Sequence, residues 1–157
     1  MISISASKLE GSRPPKNAFD FNFEGESYWW SNDDQVFISF CLKKGSAYLT
    51  KYEILNSYYG SYPKKWSFSG SNTNGNWKNT EVTDHLLTTK TFYQVDWNHG
   101  PYRCFKFESI ENNEGNKPVD IFMLEIYGTY FPNGIKEKTC YFKTRRIPLF
   151  MIILLIY

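Results

Sequence analysis

Short runs of alternating side chains, broken by turn signals roughly every 8–12 residues, constrain this chain more than anything else in it. QVFISFCL, residues 35–42, sets Val36, Ile38, Phe40 and Leu42 against Phe37, Ser39 and Cys41. Both sides are largely apolar, as in a strand at the centre of a sandwich. The runs 47–55, 65–71, 90–97, 102–110 and 119–128 also read as strands. Between them lie polar stretches such as NSYYGSYPKK (56–65), SNTNGN (71–76) and ENNEGNKP (111–118). Asn74-Gly75 is a strong signal for a turn with positive φ. NHGP (98–101) reads as a tight hairpin turn joining two of the strands. No window longer than 10 residues carries a persuasive helical period. Six to eight short strands with this spacing predict an all-β fold, a sandwich or barrel, and 157 residues suit one domain.

Composition narrows the function. Aromatic residues make up 19% of the chain, which suits strands, cores and binding faces. A net charge of only +2 predicts no nucleic-acid partner. The basic character is concentrated in 136–157, where Lys136, Lys138, Lys143, Arg145 and Arg146 face a single carboxylate, Glu137. That segment ends in IPLFMIILLIY, 11 residues, too short for a spanning helix of about 20. It reads as a truncated anchor, an interfacial helix or a sticky tail. The start, MISISASKLEGS, has neither the basic region nor the apolar core of a signal peptide. The three cysteines, Cys41, Cys104 and Cys140, are odd in number and show no C-x-x-C spacing. They predict free thiols and, with no leader, lean towards an intracellular, reducing compartment.

A set of motifs in fixed order carries a family resemblance. PKNAFDFN (15–22), SYWWS (27–31), VFISFCLKKGSAYLTKYEI (36–54), PKKWSFSGSNTNGNW (63–77), YRCFKFESI (102–110) and IFMLEIYG (121–128) follow one another. Together they resemble the discoidin-like domain, also called the coagulation factor V/VIII type C domain, in a form similar to those of protists. The resemblance implies a jellyroll-like β-sandwich or barrel of the galactose-binding-domain-like kind over 15–131. It leaves 1–14 as an N-terminal arm and 132–157 as a basic-apolar tail. It also implies that Trp66 and Trp77 are architectural, packing in the barrel on either side of a hairpin. Glu125 is expected to pair with a cation such as Arg103. The opening Asp of the family is Asp20, a metal ligand for a structural calcium ion in some carbohydrate-binding relatives. Phe21 stands where the family has Gly, and turn-capping is the alternative use of Asp20. No other cofactor is implied.

No catalytic set stands out. His85 and His99 are not spaced as metal ligands, and there is no G-x-S-x-G, Cys-His or phosphate-loop signature. The chain is therefore expected to be a binding module and not an enzyme. In discoidin-like folds, loops at one end of the barrel meet the ligand. The loop SYYGSYP (57–63) would then present Tyr58, Tyr59 and Tyr62, rings that give a flat apolar face and a hydroxyl at low entropy cost. Trp97 and His99 form a second candidate contact. In Tyr28-Trp29-Trp30 the family motif makes Trp30 structural, leaving Tyr28 or Trp29 free. The expected partner is a glycan. The alternatives are a protein partner of an intracellular adaptor, and a phospholipid membrane met through the same loops or through the tail.

Overall fold

The computed structural model describes residues 2–7, 13–19, 29–31, 35–56, 61–73, 75–84, 91–94, 100–115 and 119–132. Their elements are β1 (Ile2–Ala6), a 3-10 turn (Pro15–Phe19), β2 (Trp29–Ser31), β3 (Phe37–Leu42), β4 (Ser46–Asn56), β5 (Pro63–Ser71), β6 (Lys78–Asp84), β7 (Thr91–Gln94), β8 (Cys104–Asn112) and β9 (Val119–Phe131). A five-stranded sheet runs β1-β3-β8-β5-β6 and a four-stranded sheet runs β2-β9-β4-β7. All the pairings are antiparallel. This is the all-β sandwich that the alternation predicts, in the jellyroll-like form that the resemblance implies.

The inward residues of both sheets meet in one core. Ile38, Phe40, Trp66, Phe68, Phe105 and Phe107 come from the larger sheet, and Leu49, Tyr52, Ile54, Leu124 and Ile126 from the smaller. Burying each large side chain stabilises the fold by roughly 1.5–3 kcal/mol. Tyr52 stacks on Phe68 across the sheets, with centroids 4.6 Å apart and planes 9° from parallel. The Trp66 indole Nε1 donates to the Tyr52 hydroxyl at 3.0 Å. The polar atom of a fully buried tryptophan is thereby satisfied, and Trp66 is architectural, as the family motif implies.

Five expectations change. Residues 2–6 form an edge strand paired with β3 from Ile2↔Leu42 to Ala6↔Ile38, so this stretch is part of the sandwich. Ile2, Ile4 and Ala6 pack against the core, which the ISISA alternation allows. NHGP is not a hairpin turn: β7 pairs with β4 in one sheet and β8 lies in the other. Cys41 and Cys104 are not free thiols. They stand opposite each other on β3 and β8 and form a disulfide, with Cα atoms 4.1 Å apart. Glu125 lies opposite Glu53 and accepts a hydrogen bond from the Tyr127 hydroxyl at 2.8 Å. Arg103 instead donates to the carbonyls of Leu42 and Lys43. Finally, Trp29 is wholly buried, and Trp30 is the partly exposed member of the pair.

Candidate ligand-binding end of the sandwich

Strand direction divides the loops between two ends. At one end the Lys43–Gly45 turn joins β3 to β4, and β5 ends and β6 begins. Gly45 has φ +71°, and a Cβ there would collide with the Phe131 carbonyl oxygen, so only glycine fits the turn. Gly100 to Arg103 lie at this end too. Ala47 and Tyr102 exchange backbone hydrogen bonds of 2.8 and 2.9 Å, and the Tyr48 hydroxyl donates to the Gly100 carbonyl. At the other end stand Ser61 and Tyr62, between β4 and β5, and the turn 113–115 that follows β8.

Tyr62 sits at this second end, half-buried, on a stem that is clamped from both sides. Its backbone N–H donates to Asn113 Oδ1 at 2.8 Å, and its carbonyl accepts from the Asn113 N–H at 3.0 Å. The Asp120 N–H reaches the Ser61 carbonyl at 2.9 Å. The turn beside it is closed by the buried Asn112, whose Oδ1 accepts from the Glu114 N–H at 2.9 Å and whose carbonyl accepts from the Gly115 N–H at 3.1 Å. Gly115 supplies the positive φ that the turn needs, +81°. A loop root tied in this way is preformed, which lowers the ordering cost of binding.

A surface ion pair flanks the stem. Lys64 Nζ lies 2.6 Å from Glu111 Oε1. The hydrogen bond from Lys64, with its charge, holds the Glu111 carboxyl below its ordinary value, and Glu111 raises Lys64 in return. Trp30 belongs to the same end, because β2 pairs Trp30 with Asp120 near the start of β9. Which of two consecutive tryptophans faces inward is set by this register, and composition cannot show it.

Of the residues singled out by sequence, Tyr58, Tyr59, Trp97, His99 and Asp20 lie outside the described residues. Tyr62 is half-buried between β4 and β5, whereas Trp29 is in the core. The described neighbour of Trp97 and His99, Gly100, stands at the opposite end from Tyr62. Trp30, structural by the family motif, is partly exposed, and Trp77, expected to be architectural, is partly exposed as well. The Trp77 indole is half-exposed and lies against Lys106, on the side of β8 that faces away from the core, with Nζ 5.3 Å from the ring centroid. It does not pack in the barrel.

The described residues hold one arrangement with acid/base character. The Tyr127 hydroxyl lies 3.1 Å from Glu53 Oε2 and 2.8 Å from Glu125 Oε2. Glu53 is fully buried, whereas Glu125 and Tyr127 are partly exposed. Among the described residues no group of three or more His, Cys, Asp or Glu is placed to hold a metal ion, and no helix is long and apolar enough to cross a membrane.

No protein-family model matches the chain, and no curated protein matches it in sequence. Solved structures do. A chitosan-binding module of a chitosanase/glucanase from Paenibacillus sp. IK-5 superposes with a TM-score of 0.64 at 16% identity, over 80% of this chain and 94% of that one. A fucose binding module of Streptococcus pneumoniae gives 0.65 at 15% identity, over 82% and 94%. A family 89 glycoside hydrolase from Clostridium perfringens gives 0.63 at 19% identity, over 87% of this chain but only 15% of the hydrolase. The chain has the galactose-binding-domain-like, jellyroll β-sandwich fold that these modules share.

Proposed function

We propose that the protein is a non-catalytic carbohydrate-binding module that meets its sugar at the Tyr62 end of the sandwich. The observation that carries this reading is the fold match along nearly the whole length of two modules described as binding chitosan and fucose. The hydrolase match points the same way, since it covers only a small part of that enzyme. Tyr58, Tyr59 and Tyr62 supply rings for the apolar face of a sugar, and Trp30 takes the place that sequence gave to Trp29. Asn113 and the Lys64–Glu111 pair flank the stem of this loop and offer hydrogen-bonding groups for hydroxyls. Trp97 and His99 are a separate contact in this reading, because the described Gly100 beside them stands at the opposite end from Tyr62. A calcium ion at Asp20 is an optional part of the proposal and shows itself as calcium-dependent thermal stabilisation. The Cys41–Cys104 bond removes the thiol argument for a reducing compartment.

The test is a titration of the full chain and of a Tyr58→Ala, Tyr59→Ala double variant against a sugar that the wild type binds. Loss of binding at an unchanged melting temperature supports the reading. Unchanged binding moves the site away from this loop, and unfolding of the variant makes the tyrosines core residues.

A further inference from the structure

Trp77 belongs to neither the core nor the Tyr62 end. It follows the β5–β6 turn, close to the opposite end, and its ring lies beside the outer face of the five-stranded sheet. Lys106 is pinned there between two partners. Its Nζ is 2.6 Å from Glu108 Oε2 and 5.3 Å from the Trp77 centroid, and only 17% of its side chain is exposed. The strand next to it, β5, turns only small side chains to this face near Lys106: Ser69 is paired with Lys106, Ser67 with Glu108, and both serines are buried. This part of the sheet is therefore covered, and the Trp77 indole and the Glu108 carboxylate are the partly exposed groups of the cluster.

We propose that Trp77, Lys106 and Glu108 form a saccharide-contacting subsite on this outer face, away from the Tyr62 end. A pyranose has an apolar C–H face and a rim of hydroxyls. An indole suits the first. A lysine donor and a carboxylate acceptor suit the second with charge-assisted hydrogen bonds. The pair is neutral overall, so the ligand is an uncharged sugar unit, one belonging to a longer oligosaccharide or to a second chain. Lys106 is already held by Glu108 and Trp77, so little side-chain freedom is lost on binding. The subsite rests on the glycan reading above, but it uses none of the tyrosines of that reading.

The experiment titrates the full chain with neutral chitin hexaose and with fucose, and follows tryptophan fluorescence and heat. Trp77→Ala, Trp77→Phe and Glu108→Gln are compared with the wild type and with the Tyr58→Ala, Tyr59→Ala variant, each with its melting temperature. The expected result is a loss of about tenfold in affinity for at least one of these sugars in Trp77→Ala, a value near the upper range for one aromatic contact. A smaller loss is expected in Glu108→Gln, with melting unchanged in both. Wild-type affinity in both variants overturns the subsite, and it leaves the glycan reading standing if the tyrosine variant loses binding. If Trp77→Ala unfolds, Trp77→Phe and Glu108→Gln decide on the same criterion. A wild type that binds neither sugar by either readout overturns the subsite for the ligand class proposed, and the broader glycan reading then rests on the array described below.

Discussion

Reduction of the Cys41–Cys104 bond is expected to act almost wholly through the unfolded chain. The two cysteines face each other on strands that are hydrogen-bonded along their length, so the folded state changes little when the bond opens. Cys104 is almost wholly buried, and a reduced thiol there behaves as a small hydrophobe. The bond joins residues 63 apart in sequence. Chain entropy gives about 3 kcal/mol for closing a 15-residue loop and about 4.7 for a 100-residue loop, so this one is worth about 4 kcal/mol. The assay is urea unfolding followed by tryptophan fluorescence, with and without a phosphine reductant. For a denaturant slope of about 2 kcal/mol per molar, the midpoint should fall by about 2 M on reduction. Equal midpoints in the two conditions, or three reactive thiols in the unfolded, unreduced protein, would refute the reasoning.

Other consequences follow from single contacts. Trp66→Ala should lower stability by about 3–5 kcal/mol, because it empties a fully buried site and removes the donor to Tyr52; Trp66→Phe should lose less, and calorimetry separates them. Gly128→Ala should cost about 1–3 kcal/mol by overpacking, since its Cβ would strike the Tyr48 carbonyl and lie 3.1 Å from Leu49 Cα, beside a register break in β4. Glu111→Gln tests the ion pair by pH. The folded Glu111 carboxyl titrates below its unfolded value, so its contribution is present above the ordinary carboxylate range and is lost as pH falls through the lowered value. Lys64 titrates above its unfolded value, so its contribution is full below the ordinary lysine range and is lost as pH rises through the raised value. The difference between wild type and variant should therefore be small, greatest near neutral pH, and reduced by salt; a difference that grows in acid would contradict this.

The strands were the legible part of this chain, because period-two alternation is a local property. Residues 35–42 and 47–55 became β3 and β4 within a residue or two, and 102–110 and 119–128 became β8 and β9. What alternation does not carry is partnership. The turn-rich look of NHGP suggested a hairpin, yet β7 and β8 went to different sheets, since only long-range packing decides which sheet a strand joins. The same limit hid the disulfide: a spacing of 63 residues says nothing about register, and register is what sets Cys41 opposite Cys104. The two tryptophans around the Asn-Gly turn looked equivalent in sequence. Trp66 lies within β5 on the inward parity and is buried, whereas Trp77 follows the turn, outside any strand, and ends on the surface. For the proposed site, the run of tyrosines around Gly60 pointed to Tyr62. The exposure of Trp30 was not legible, because an aromatic pair shows no facing until β9 fixes it.

The central claim is that this sandwich binds sugar, and a glycan array probed with the full chain, with and without calcium, tests it most directly. The account predicts a reproducible hit on at least one sugar, one that disappears in the Tyr58→Ala, Tyr59→Ala variant while its melting temperature holds. A blank array from folded protein would contradict it and turn the search to a protein partner from cell extract.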